Sequence, residues 1–103
     1  MLRDMGKTLD SAQVHQRLTD FHGWSAEGNA ITRKLTFAGF REAIAFTVRL
    51  AFEAEEADHH PDIVINYKRV TLTYSTHSEG GVTEKDFAGA AIATKLAQQM
   101  NGA

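Results

Sequence analysis

The chain has 103 residues, no cysteine, 43% hydrophobic residues and a formal net charge of −2, with eleven Lys and Arg against thirteen Asp and Glu. We therefore expect a single domain spanning residues 1–103, folded around one core without disulfides or thiol chemistry. Because the basic residues are scattered, and because neither a signal-peptide core nor an apolar run of membrane-spanning length is present, we expect a soluble, cytoplasmic protein that binds neither nucleic acid nor membranes directly.

The first third of the chain predicts a helix followed by a hairpin. Asp10 and Gln13 have the spacing of a capping box, in which each side chain accepts a bond from the other residue's backbone N–H. The apolar periodicity that follows predicts a helix over about 10–21. Gly28 and Asn29 suit a two-residue turn between short strands, so a hairpin is predicted around them.

The next segment predicts a long helix that ends in a cluster of ionisable residues. It runs from Phe40 to about His59, where Pro61 disfavours helical geometry at His60 and stops it. Glu55 lies four residues before His59, a spacing at which helical side chains meet, so we expect these two to pair and His60 to point elsewhere. The residues predicted to face the core are Phe40, Ala43, Ile44, Thr47, Val48, Leu50, Ala51 and Ala54.

The last third predicts two strands with a reversal near Lys68, and then a helix from Thr83 to about Met100 in which Asp86 completes a second capping box. The element order helix, two strands, helix, two strands, helix predicts an α+β fold: a two-layer arrangement with helices packed on one face of a four-stranded antiparallel sheet. The strand residues predicted to alternate toward the core are Ile63, Ile65, Tyr67, Val70, Leu72 and Tyr74.

Three histidines fall at the ends of these elements. His59 and His60 follow the long helix, and His77 follows the last strand. Imidazole serves as acid or base near neutral pH, and no basic residue lies between Arg49 and Lys68 although five carboxylates do. Neighbouring histidines in unlike surroundings are suited to supply one acid and one base, which predicts a site where protons are transferred.

Each residue also has a structural explanation. A histidine at a helix C-terminus, such as His59, complements the helix dipole, and Asp86 is explained by its capping box. Glu55 and His77 fit exposed surface positions. A metal site formed by Glu55, His59 and His77 is a further interpretation that metal analysis would test, although the chain lacks the H-E-x-x-H spacing of two imidazoles on one helical face.

Taken together, the residues resemble the signature of the pterin-4a-carbinolamine dehydratase family. The elements of the motif are Glu55, then His59-His60-Pro61, Tyr67, Ser75-Thr76-His77 and, nine residues after the last histidine, Asp86. The resemblance covers most of the chain, through the segments Gly23-Trp24, Ala30 to Phe46, His59 to His77 and Gly80 to Ala90.

This resemblance implies an enzyme, a hydro-lyase that dehydrates 4a-hydroxytetrahydropterin to the quinonoid dihydropterin and recycles the pterin used by aromatic amino acid hydroxylases. It implies no metal and no organic cofactor. The implied catalytic residues are His59, His60, His77, Asp86 and Glu55, and the implied pterin contacts are His59, His60, Pro61, Ser75, Thr76 and His77. Within this set we expect His60 and His77 to be the acid–base pair and His59 to pair with Glu55.

The resemblance also implies partners. Family members associate by joining sheets or packing helices, so we expect a homodimer or homotetramer, with "VTLTYST" as an exposed edge strand, and a hydroxylase is a further candidate partner. Some members stabilise dimers of a homeodomain transcription factor. The alternative function is therefore a non-catalytic binding module that uses an apolar face of the final helix, formed by Phe87, Ala90, Ala91 and Ala97.

Overall fold

The computed structural model describes residues 6–103, which form three α-helices packed on one face of a four-stranded antiparallel sheet. The α+β architecture and its element order agree with the prediction. The elements are α1 (Ser11–Leu18), β1 (Ser25–Glu27), β2 (Ala30–Thr36), α2 (Phe40–Ala57), β3 (Asp62–Asn66), β4 (Arg69–Tyr74), a 3-10 turn (His77–Glu79) and α3 (Glu84–Gln99). No helix within residues 6–103 combines the length and apolar character that crossing a membrane requires.

The sheet order is β1-β2-β4-β3, which places β4 in the interior of the sheet. β4 pairs with β2 from Ile31↔Tyr74 to Thr36↔Arg69, and with β3 on its other side. The prediction that "VTLTYST" is an edge strand is therefore wrong, and β1 and β3 are the edges. The inward residues of β4 are fully buried whereas those of β3 are half-buried, so the more deeply buried strand occupies the central position.

The core lies between the helices and one face of the sheet. The apolar side chains that alternate along the two central strands are at most 1% exposed, as the period-2 pattern predicts, whereas Arg33 on the same face of β2 is only partly buried. Tyr67 was predicted to face the core, but it lies in the turn between β3 and β4 with φ of +54° and is 69% exposed. The buried residues of the two central strands are Ile31, Leu35, Val70, Leu72 and Tyr74.

The buried face of α2 differs from the predicted arc. A stripe at intervals of three or four residues packs inward, formed by Ala43, Phe46, Leu50 and Ala54. Phe40 and Val48, which are about half exposed, and the exposed Ala51 contradict the prediction, and Phe46 was not predicted to be buried. α2 packs against the sheet and one neighbouring helix. These contacts cover a narrower arc of α2 than the eight predicted residues occupy, so part of its apolar surface stays exposed.

Both predicted capping boxes are present, at Asp10 with Gln13 and at Thr83 with Asp86. The helix ends differ from the prediction, since α1 stops at Leu18 and α2 stops at Ala57. α2 ends early because the next residue, an aspartate, adopts the left-handed conformation with φ 52° and ψ 42°, which a helix cannot continue.

Candidate active site

The antiparallel pairing of β3 and β4 gathers the predicted histidines at one end of the sheet. Asp62, the first residue of β3, lies opposite Thr73 near the end of β4. His59 and His60 lie just before β3, separated from it by Pro61, and His77 follows β4 by three residues. Residues far apart in the chain therefore lie at the same end of the sheet, where β3 begins and β4 ends.

A buried carboxylate organises this end of the sheet. Asp86 is fully buried in the first turn of α3. Its Oδ1 lies 2.6 Å from Nε2 of His59, and its Oδ2 accepts bonds from the Thr76 hydroxyl at 2.8 Å and the Thr83 backbone N–H at 2.9 Å. We call these four residues the Asp86 network. The capping function and the pairing with histidine thus belong to the same side chain.

The donors and acceptors of the network form a consistent chain. The Thr76 hydroxyl donates to the Asp86 carboxylate, so the 2.7 Å contact between Thr76 and Thr83 has the Thr83 hydroxyl as its donor. Both carboxylate oxygens act as acceptors, so His59 must donate from Nε2. This arrangement places a hydrogen on Nε2 of His59 and leaves Nδ1 available for another partner.

His60 pairs with Glu55, a contact that the sequence predicted for His59. Its Nε2 donates to Oε1 of Glu55 at 2.9 Å, with the two side chains 55% and 82% exposed. The predicted pairing of His59 with Glu55 is therefore wrong. The left-handed residue Asp58 ends the helix and turns the chain, so His59 reaches α3 while His60 folds back over the last turn of α2.

His77 begins the 3-10 turn and is exposed. It lines a polar cleft of about 320 Å³ together with Asp62, Thr73 and Ser75. The Ser75 hydroxyl donates to the backbone carbonyl of Asn29 at 2.7 Å. Thr76 is placed differently from its neighbours, because its buried side chain belongs to the Asp86 network rather than to the cleft.

A second, mainly apolar cavity of about 300 Å³ lies between α2 and α3, with His59 and Tyr74 in its wall. Their rings are nearly parallel, with centroids 6.0 Å apart. Burial, with the Asp86 charge as a smaller contribution, raises the pKa of the Tyr74 phenol far above its ordinary value, so this hydroxyl stays protonated at neutral pH. A β-carbon at Gly89 would lie 2.4 Å from the Tyr74 ring, so the absence of a side chain there makes room for it.

Tyr74 and Thr83 belong to this site although their sequence context did not predict it. The sequence pattern indicates an ordinary core residue of a strand at Tyr74 and a helix cap at Thr83. One signal was available, because Gly89 interrupts an alanine-rich helix, and a glycine inside a helix often marks a close approach by another residue.

The interpretation of Glu55, His59 and His77 as a metal site can be compared with their positions in the structure. In the part of the chain that the structure describes, no group of three or more His, Cys, Asp or Glu side chains is arranged to hold a metal ion. Of the three residues in that interpretation, Glu55 bonds to His60 and His59 bonds to Asp86.

The chain is similar to known proteins of one family. The family model described as pterin 4 alpha carbinolamine dehydratase matches residues 7–96. A protein from Thermomicrobium roseum is 49% identical over 90 residues, which cover 87% of this chain and 94% of that protein. A protein from Chloroflexus aurantiacus is 51% identical over 88 residues, covering 85% of this chain and 95% of its own. Both relatives are provisionally named as pterin-4-alpha-carbinolamine dehydratases.

Solved structures agree with this assignment. A Brucella melitensis protein described as a transcriptional coactivator/pterin dehydratase has a TM-score of 0.85 at 36% identity, covering 88% of this chain and 99% of that chain. A pterin dehydratase-like protein described as a RuBisCO assembly factor in the alpha-carboxysome has a TM-score of 0.60 at 25% identity, with coverages of 72% and 86%. With a family model that matches most of its length and relatives near half identity, the chain belongs to the pterin 4 alpha carbinolamine dehydratase family.

Proposed function

We propose that this protein is a hydro-lyase that converts 4a-hydroxytetrahydropterin into quinonoid dihydropterin and water by histidine acid–base catalysis. The observation that supports this most is the fully buried Asp86, which holds His59 at the sheet end where His60 and His77 are also exposed to solvent. Family membership supplies the substrate class, because the relatives carry the dehydratase name.

The reaction requires two proton transfers that balance each other. The hydroxyl on ring carbon 4a leaves as water after it receives a proton, and the adjacent ring nitrogen loses its proton as the new carbon–nitrogen double bond forms. One imidazole donates the first proton and the other imidazole accepts the second. Proton exchange with water then returns both imidazoles to their starting states. We assign these steps to His60 and His77, whose exposure allows that exchange.

The remaining residues position the pterin and the histidines. Nδ1 of His59 is the group free to contact substrate, since Nε2 is held by Asp86. Pro61 holds the chain after the histidines rigid, and we assign Ser75 a pterin contact in the polar cleft. The Thr76 hydroxyl is committed to Asp86, so we propose that this residue acts by holding the carboxylate and not by direct contact of its side chain with pterin.

The direct test is the rate at which purified protein accelerates the loss of 4a-hydroxypterin absorbance when a hydroxylase generates that compound in place. Wild type is expected to accelerate the decay and His60→Ala to lose most of this effect. His15→Ala is the matched control, because it removes an exposed imidazole from α1. If well-folded wild type gives no acceleration, the dehydratase proposal is wrong.

Glu55→Gln is expected to lower the dehydration rate far less than His60→Ala. Its carboxylate is 82% exposed, and exposed ion pairs contribute only about 0–1 kcal/mol. We expect a rate loss of less than about tenfold and an unfolding free energy close to that of wild type. Steady-state rates and urea denaturation measure the two quantities. A loss equal to that of His60→Ala would instead make Glu55 part of the proton-transfer step.

A second candidate function, association with another protein or with copies of this chain, is favoured by an exposed apolar stripe on α2. Phe40, Ile44, Val48 and Phe52 follow one another at i, i+4 spacing, and Phe52 is 75% exposed. The final helix does not offer the predicted face, because Phe87, Ala90 and Ala97 are buried and only Ala91 is exposed. We call the four α2 residues the outer stripe.

We propose that the outer stripe mediates a homodimer or homotetramer, and that it is also the surface through which a hydroxylase or other protein would bind. The descriptions of the two solved structures, a coactivator and an assembly factor, support a binding role for this fold. The outer stripe contains none of the three histidines, so the two functions are separable by mutation.

The double substitution Val48→Glu with Phe52→Glu is expected to convert an oligomer into a monomer, because it places two charges where apolar surface is buried on association. Sedimentation velocity measures the change. Arg49→Glu is the matched control, since it alters charge at an exposed position on the same helix. A wild-type protein that is monomeric, or an oligomer unaffected by the double substitution, would contradict this role of the outer stripe.

A further inference from the structure

Arg33 occupies an unusual position on β2. Its strand neighbours Ile31 and Leu35, on the same side of the sheet, are fully buried against the helices, and Arg33 itself is partly buried. In residues 6–103 the salt bridges join Arg17 to Glu84 and two histidines to carboxylates, and none involves Arg33. The Arg33 guanidinium is therefore a charge that forms no salt bridge with a carboxylate of the described residues, so an anionic ligand could pair with it.

The Arg33 side chain lines a cleft of about 660 Å³. The cleft lies between three parts of the chain, namely the segment that follows α1, strand β2 and helix α3. His22 and Lys95 line the same cleft and supply further positive or potentially positive groups. Thr94 and Gln98 add polar groups one turn apart on α3. The volume lies within the range of pockets that bind small molecules, about 300–1,000 Å³. We call this region the Arg33 cleft.

The backbone around the cleft is shaped to hold the guanidinium. A β-carbon at Gly23 would lie 2.7 Å from Nε and 3.0 Å from Cζ of Arg33, so the side chain rests directly against bare backbone. Gly23 also has φ of +89°, a conformation that residues with side chains rarely adopt. The position and orientation of Arg33 therefore depend on a glycine whose own conformation is restricted.

From this geometry we propose that the Arg33 cleft is a binding site for a small organic phosphate. The planar guanidinium matches a phosphate group through two parallel bonds, and Lys95 adds a point charge. Asp20 and the C-terminal end of α3 bring opposing negative charge, which favours a ligand that also carries hydroxyl donors over a bare inorganic anion. Phe21 provides an apolar wall for the carbon skeleton.

The Arg33 cleft is separate from the histidine end of the sheet but adjoins its core. It shares no lining residue with the polar cleft of His77 or with the apolar cavity of His59. Thr94 accepts a bond from the indole N–H of Trp24 at 2.9 Å, and the Trp24 ring packs on Tyr74 with centroids 5.9 Å apart. Trp24 is the only tryptophan, and its bond to the cleft residue Thr94 makes its fluorescence a probe of binding there.

The test is a titration of the full-length protein with ribose 5-phosphate, followed by Trp24 fluorescence and by calorimetry. Ribose and inorganic phosphate are titrated separately. We expect ribose 5-phosphate to bind with a dissociation constant of about 1 mM or tighter, and each fragment to bind at least about tenfold more weakly. Absence of ribose 5-phosphate binding, or equal binding of inorganic phosphate, would overturn the assignment of an organic phosphate site.

Variants then tie the binding to the cleft. Arg33→Gln is expected to weaken ribose 5-phosphate binding by more than about tenfold, because it removes a charged two-bond contact. Lys34→Gln is the matched control, since Lys34 is exposed on the opposite face of the same strand. If Arg33→Gln does not fold, Lys95→Gln, at an exposed position, is expected to weaken binding severalfold. Equal affinities for the Lys34 variant and the folded cleft variant would overturn the proposal.

Discussion

Asp86→Ala is expected to lower the free energy of unfolding by about 3 kcal/mol or more, the lower part of the range for breaking a buried ionic pair. The side chain is fully buried, and its removal leaves three donors without their acceptor: Nε2–H of His59, the hydroxyl of Thr76 and the backbone N–H of Thr83. His59 retains some contact with solvent, at 14% side-chain exposure, which limits the cost. For a domain of this size the loss is a large fraction of total stability.

Chemical denaturation followed by far-ultraviolet circular dichroism measures this loss. Asp86→Asn is the matched variant, because it keeps the shape and one oxygen for Thr76 and Thr83 but presents an amide donor to the His59 donor. We expect a smaller destabilisation, about 1–3 kcal/mol, with a clear loss of dehydration rate in protein that remains folded. An Asp86→Ala protein within about 1 kcal/mol of wild type would show that the network contributes little to the fold.

His60→Ala and His77→Ala are each expected to slow dehydration by about 10²–10⁴-fold, the usual contribution of a group that transfers a proton in the transition state. Both side chains are exposed at the end of the sheet, so the free energy of unfolding is expected to change by no more than about 0.5 kcal/mol. Single-turnover decay of 4a-hydroxypterin, measured beside urea denaturation, separates the chemical effect from any loss of folded protein.

The double variant His60→Ala with His77→Ala provides a sharper test. If the two imidazoles act in one concerted elimination, the double variant should lose little more activity than the slower single variant, because groups that act as a unit are not additive. His15→Ala controls for the loss of an exposed imidazole elsewhere. Full activity in both single variants would remove these histidines from the proton-transfer step, and the roles of His59 and Tyr74 would then have to be tested.

The sequence by itself determined those features that depend on neighbouring residues. The capping boxes at Asp10 and Thr83 are formed within three residues, and the hairpin turn at Gly28 is equally local. The alternation that buries Leu72 and Tyr74 follows from strand geometry alone. The element order and the spacing of the histidine motif depend only on the order of residues, and they were sufficient to identify the fold class and the family.

The tertiary structure alone decided which groups become partners across the fold. β4 lies between β2 and β3 in the sheet, and its inward side chains are completely buried in the core under the helices, a strand order that strand periodicity does not contain. Glu55 pairs with His60 because the left-handed Asp58 redirects the chain, while His59 meets Asp86 across 27 positions of sequence. Helical spacing predicts contacts only between side chains on a helix that continues. It no longer applies where the helix ends, and there the packing of residues distant in sequence determines the contacts.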